Sequence, residues 1–230
     1  MILLGRIVNV LAILLGGGVG LLIHRLGQKI PERFSERIMQ GLGLCVLYIA
    51  ADGLLDGSKT LVTIFSMVLG ALLGEWLDID GWLERLSGKV ERRFARAGDH
   101  RFSQGLMSTT LLFCVGAMAI KGALDSGLNG SHALLYTKAL MDGTGACIFA
   151  SSMGVGVLFS SVPVFLYQGA ISLLATVAAP FLSETVIAEM NTVGSLLLIG
   201  LSMNMLGVTK LKLMNYVPAM FLPIILCLFL

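Results

Sequence analysis

The sequence predicts an all-α polytopic membrane protein: a transmembrane bundle of about eight helices with one cytoplasmic interfacial amphipathic helix. Three observations carry this prediction. Of the 230 residues 56% are hydrophobic and 13% charged, and the mean hydropathy is +0.89; a soluble domain needs roughly twice that charge to cover itself. The apolar runs repeatedly reach the ~20 residues that a helix needs to cross a hydrocarbon core of ~30 Å, and the short alternating segments of a transmembrane barrel are absent. Twelve of the sixteen Lys and Arg residues fall in three short stretches between those runs.

Eight spans can be drawn in a single integral domain: about 2–23, 37–55, 60–77, 104–124, 132–158, 164–181, 186–206 and 213–230. The first, beginning MILLGRIVNV, lacks a basic leader and a small-x-small cleavage site, so it reads as a retained span. Arg25, Lys29, Arg33 and Arg37 fill the first loop. Arg85, Lys89, Arg92, Arg93, Arg96 and Arg101 fill the third, and Lys210 and Lys212 the last. The positive-inside rule puts all three on the cytoplasmic side, which requires an even number of crossings between successive basic loops. Eight spans satisfy that parity and leave both termini outside.

The third loop is amphipathic. Trp82, Leu83, Leu86, Val90 and Phe94 recur at helical spacing, with the cations around the remaining face. A helix over about 81–97 that lies in the interface, against anionic lipids, is the expectation; a solvated linker helix is the alternative. Nucleic-acid binding is not expected of a short basic helix tied to a membrane.

RFSERIMQGLGLCVLYIAADGLLDG at 33–57 and RFSQGLMSTTLLFCVGAMAIKGALDSG at 101–127 share an Arg-Phe-Ser opening and a central Cys-Val. FLSETV at 181–186 echoes the opening. This is either a duplication or a shared N-cap signal of Ser followed by Glu or Gln. Glycine gives small helix faces: Gly16, Gly17, Gly18 and Gly20 in the first span, Gly41 and Gly43 in the second, Gly70 and Gly74 in the third. Gly16 with Gly20 and Gly70 with Gly74 form G-x-x-x-G pairs, which let helix backbones approach closely. Internal packing is the expected use, and a homodimer seam or a pore lining the alternative.

The candidate functional centre is the fifth span. Lys138 and Asp142 lie one turn apart and can pair, either as a self-compensated pair or as a cargo ligand poised by its neighbour. Ser151, Ser152, Gly154 and Gly156 can unwind the backbone between half-helices or pack as a kinked helix. Asn9, Gln168 and Asn204 are uncharged polar groups in other spans that can converge with Asp142 or serve as interhelical hydrogen bonds. Pro163 marks a turn or the start of the sixth span. The charges at Asp52, Asp56, Lys59, Glu75, Asp78, Asp80, Lys121 and Asp125 read as boundary markers at span ends, with a pore-mouth ring as the alternative.

Cys45, Cys114, Cys147 and Cys227 sit in apolar runs without metal or redox spacing and read as small buried side chains. His24, His100 and His132 all lie near loops. There is no H-E-x-x-H, no Gly-x-Ser-x-Gly and no phosphate loop. Neither catalysis, a cofactor nor a metal is expected.

The opening LLGRIVNVLAILLGGGVGLLIHRL, the following PERFSERIMQGLGL, and the later MGVGVLFSSVPV and YQG resemble the YqgA/YdfK-like family of bacterial inner-membrane proteins, a domain of unknown function. The resemblance covers essentially the whole chain and implies a multi-pass protein of the bacterial cytoplasmic membrane. It brings no reaction and no functional residues. The sequence reading is therefore a transporter or channel for a small solute or ion. Its path is lined by Asp142, Lys138, the Ser151–Gly156 segment and Asn204, with Gln168 and Asn9 near it; a non-transporting assembly or regulatory subunit is the alternative.

Overall fold

A computed structural model describes residues 4–26, 32–94 and 101–229. Among them every regular element is a helix. The order is α1 (Leu4–Leu26), α2 (Glu32–Gly53), α3 (Thr60–Leu77), α4 (Ile79–Phe94), α5 (Arg101–Cys114), α6 (Ala117–Leu128), α7 (Ala133–Met153), α8 (Gly156–Phe159), α9 (Ser161–Leu173) and α10 (Ala175–Ala178). After a 3₁₀ turn at Ala179–Phe181 come α11 (Glu184–Met205), a longer 3₁₀ helix at Leu213–Phe221, and α12 (Pro223–Leu226).

Four of these segments are long and apolar enough to cross a bilayer: Leu4–His24, Thr60–Leu77, Gly156–Leu173 and Glu184–Met205. A fifth arises if α5 and α6, which meet at a 62° bend, count as one broken span. The bend falls where Gly116 takes φ +114, inside what the sequence presents as one continuous span at 104–124. α2 and α7 have the length, at 22 and 21 residues, but dilute their apolar content. α2 carries Glu32, Arg33, Glu36 and Arg37 in its first turns, and α7 carries Lys138 and Asp142. The final predicted span resolves into the 3₁₀ helix with Pro218 inside it, followed by the short α12. α4 occupies most of the predicted amphipathic stretch; residues 95–97 lie outside the described residues.

The chain divides into two compact units. The first comprises residues 1–38, 85–114 and 118–178, the second 39–84, 115–117 and 179–230. The two Arg-Phe-Ser segments run mainly through different units. Ser35 and Ser103 lie inside α2 and α5 rather than at an N-cap, whereas Ser183 does cap α11, its hydroxyl accepting from the Val186 N–H at 3.3 Å.

In the first unit α1 packs along α7. A Cβ on Gly16 would run into the Gly143 carbonyl oxygen, and one on Gly20 into that of Cys147. Gly5 faces Leu135 and His24 reaches Ser151, so both chains advance together and the helices are parallel. α8 and α9 run the other way past α1, with Arg6 at Gly169 of α9 and Gly17 at Leu158 of α8. α5 is antiparallel to α7, with Gly105 at Met153 and Gly145 at Phe113. In the second unit Gly70 and Gly74 of α3 receive the backbone of Ala219 and Asn215, and α2 lies antiparallel to α11, with Gly43 at Ser202 and Gly53 at Ser195. Both G-x-x-x-G pairs are spent within their own unit, while Gly18 and Gly41 have nothing within 4 Å of a built Cβ.

Candidate functional site: a buried polar cluster on α7

α7 has two faces of different character. Leu140, Met141 and Ile148 are exposed at 74%, 60% and 52%, while Lys138 and Asp142 are buried at 6% and 5%. A bilayer-spanning helix sorts its residues this way, apolar side chains outward and charges toward the bundle interior.

Lys138 Nζ donates to Asp142 Oδ1 at 2.9 Å, the pairing their i, i+4 spacing allows. The other carboxylate oxygen accepts from Asn9 Nδ2 on α1 at 3.1 Å, and the same amide nitrogen donates to Gln168 Oε1 on α9 at 3.3 Å. The α1–α7 crossing causes this meeting. Asn9 precedes Gly16 by seven residues, about two turns, and so shares its face. Asp142 is next to Gly143, whose carbonyl is the group lodged against Gly16. The glycine contact holds α1 and α7 close, and the Asn9 amide and the Asp142 carboxylate, which lie at different distances from it, reach along the seam to bond. Arg6, one turn before Asn9 on α1, is 1% exposed and donates from Nη1 to the Gly169 carbonyl at 3.2 Å.

The cluster is not fully satisfied. Asn9 Oδ1, Gln168 Nε2 and Ser172 Oγ are buried and have no hydrogen-bond partner among the described residues. Reversing either amide does not repair this. Turning Asn9 would point its oxygen at the Asp142 carboxylate, and turning Gln168 would set two NH₂ groups against each other. A buried polar atom left unpaired costs about 1–3 kcal/mol. The cluster thus holds at least one acceptor and one donor that are buried without a partner among the described residues.

The Ser151–Gly156 segment lies elsewhere along the helix. α7 ends at Met153, and Gly154 takes φ 75, ψ −149, a conformation essentially reserved for glycine. α8 and α9 then return antiparallel, so the break is the turn of a hairpin. Its function is to bring Gln168 back to the level of Asn9. Pro163 falls in the first turn of α9, where its missing N–H costs nothing. Ser151 Oγ donates to the Ile148 carbonyl at 2.7 Å, and its own carbonyl pairs with His24 Nδ1 at 2.9 Å. Ser152 Oγ is buried without a partner among the described residues, and Gly156 gives room to the Phe102 carbonyl. Asn204 belongs to the second unit. There its Nδ2 donates to the Leu211 carbonyl at 2.8 Å and its Oδ1 accepts from Thr209 Oγ1 and the Leu211 N–H, closing the loop after α11. Asn9, Lys138, Asp142 and Gln168 are therefore assembled, while Ser151, Ser152, Gly154, Gly156 and Asn204 serve other parts of the fold.

Sequence reasoning overlooked Glu189. It is fully buried on α11 and its Oε1 accepts the N–H groups of Ser58 and Lys59, both at 2.7 Å, with Thr63 Oγ1 donating to Oε2 at 3.3 Å. It satisfies the start of α3, whose N-cap Lys59 has no side-chain cap of its own. Thr192 and Asn191 extend the arrangement by bonding Gly57 and Asp56. The available signal was a charge inside an apolar run, as at Asp142; Arg6 carried it too.

No solved structure matches this chain. A relative from Bacillus subtilis, described as the uncharacterized membrane protein YdfK, is 26% identical over 95% of this chain and 93% of its own length. The uncharacterized protein YqgA of Escherichia coli is 28% identical over 95% of this chain and 94% of its own. The apolar helices and the membrane-protein relative together make this a helical membrane protein. Residues 4–228 match the family described as "Protein of unknown function (DUF554)", and the chain belongs to that family.

Proposed function

We propose that this protein moves a small solute or ion across the bacterial cytoplasmic membrane, through a path centred on α7 with Asp142 as its binding carboxylate. The supporting observation is the convergence of Asn9, Lys138 and Gln168 on Asp142 from three helices, with buried hydrogen-bonding capacity left over on Asn9 and Gln168. Intramembrane ionisable groups that pair with one another inside a bundle commonly mark solute and ion pathways. With Asp142 only 5% exposed, the site is closed in this conformation. Cargo entry then requires Lys138 or Asn9 to swing off the carboxylate. We place the three basic stretches on the cytoplasmic face, both termini outside, and α4 against anionic lipid. We read no catalytic role. A homodimer seam built on glycine would fall to open positions such as Gly18 or Gly41.

A second reading, a non-transporting assembly or regulatory subunit, draws on the same ion pair. Lys138 neutralises Asp142 at 2.9 Å without help from cargo. Flux into liposomes, measured over a panel of ions and small metabolites, separates the two. Transport by the intact chain that falls at least about tenfold in Asp142→Asn, a change of about 1.4 kcal/mol in binding if cargo contacts the carboxylate, supports the path. Equal flux in both chains removes Asp142 from the mechanism, and silence across the panel favours the subunit reading.

A further inference from the structure

The second unit contains a groove of about 630 Å³ on the outer side of α3, within the size range of small-molecule sites. One wall is a stripe of α3 formed by Met67, Val68, Ala71, Leu72 and Glu75, and the other is the chain from Lys210 to Tyr216. Its origin is the glycine face. Gly70 and Gly74 let the backbone at Asn215 and Ala219 settle onto α3, so the larger side chains on either side of that contact stand up as walls.

The groove is polarised along its length. Its α3 wall runs about 12 Å from Met67 to Glu75 at 1.5 Å per residue. At the Met67 end it is apolar, with Val68 and Leu72 exposed at 55% and 64%. At the other end stands Glu75, and Lys210 and Lys212 line the same groove. Lys212 acts on Asp80, just past the end of α3, and the opposite wall runs antiparallel to α3, which puts its lysine-bearing start toward Glu75. Trp76 and Trp82, 82% and 58% exposed, flank that end; exposed tryptophans of this kind sit at the headgroup level of a bilayer. Hydrocarbon depth therefore passes into headgroup depth along a single groove, as an amphiphile requires.

The charges select the headgroup. Two lysines suit a phosphate. Glu75 accepts from Asn215 Nδ2 at 2.7 Å through Oε2, which leaves its other oxygen for another donor. Asp78 and Asp80 add negative charge just beyond. A purely anionic headgroup would meet these carboxylates along with the lysines, whereas a headgroup with both phosphate and a primary amine is matched at each end.

We propose that this groove holds one glycerophospholipid with an ethanolamine-type headgroup, its phosphate between Lys210 and Lys212, its amine on Glu75, and an acyl chain along Met67, Val68, Ala71 and Leu72. The site is independent of the cluster on α7 and of the transport reading. The test is native mass spectrometry of the delipidated full chain with phosphatidylethanolamine, phosphatidylglycerol and phosphatidylcholine of identical acyl chains. The ethanolamine lipid should stay bound under activation that strips the other two. Lys210→Ala with Lys212→Ala should cut its retention at least about fivefold, as loss of charge-assisted phosphate bonds implies. Glu75→Gln, which can still accept from Asn215, should abolish the preference for ethanolamine over choline while retaining phospholipid. Thermal midpoints close to that of the unaltered chain confirm that each variant is folded; if the double variant unfolds, Leu72→Trp, which fills the apolar end from an exposed position, should lower retention instead. Equal retention of all three lipids, preferential retention of phosphatidylglycerol, or no effect of the folded variants would overturn the proposal.

Discussion

Glu189 illustrates what one residue does in an apolar helix when its charge is matched. Two backbone N–H groups at 2.7 Å meet one carboxylate oxygen, and hydrogen bonds to charged groups contribute about 1.5–3 kcal/mol each. Glu189→Ala should therefore lower stability by about 3 kcal/mol or more and speed amide exchange at Ser58 and Lys59. Glu189→Gln, which keeps one acceptor, should lose less. Thermal unfolding in detergent and hydrogen exchange check both. Asp80 is the opposite case. Burial pushes its carboxyl above the usual range, Glu84 and Asp78 push the same way, and the Met214 N–H and Lys212 oppose them. A carboxyl that binds its proton more tightly folded than unfolded favours the folded state when protonated. Its contribution is fully present below the ordinary aspartate range and is lost as pH rises through the elevated value. Asp80→Asn should accordingly raise the unfolding midpoint at neutral pH and flatten its gain on acidification; an unchanged pH profile would count against this account.

At the scale of elements, glycine positions the helices. A side chain at Gly16 cannot be absorbed by rotamer change, because the obstacle is the Gly143 backbone carbonyl. Gly16→Ala should cost about 1–3 kcal/mol through overpacking and should also loosen the Asn9–Asp142 bond that the crossing imposes. Gly18→Ala, on the same helix but with open space at its Cβ, should be neutral or slightly stabilising, since alanine is the better helix former. The comparison of midpoints isolates the crossing from helix propensity. That Gly16 and Gly20 form a helix-packing face is readable from their spacing. That the partner is α7 and not another copy of the chain is not, since the two helices are separated by more than a hundred residues.

For the whole molecule the testable statement is topology. Reporter fusions after residue 96 and at the C-terminus should report opposite sides of the membrane, the former cytoplasmic and the latter external; the same side for both would remove the eight-crossing parity. Helical class, membrane residence and the Lys138–Asp142 pair were legible in the sequence because each depends on composition or on neighbours within one turn. Tertiary structure alone decided that Asn9 and Gln168 join Asp142 while Asn204 closes a loop. These three amides carry the same chemistry and sit in similarly apolar runs. The bonds that distinguish them join residues 133 and 159 positions apart for Asn9 but 5 and 7 apart for Asn204. Local periodicity specifies which face of a helix is polar, but the partner of that face is set by how closely glycines let two backbones approach, and that is a property of the packed chain.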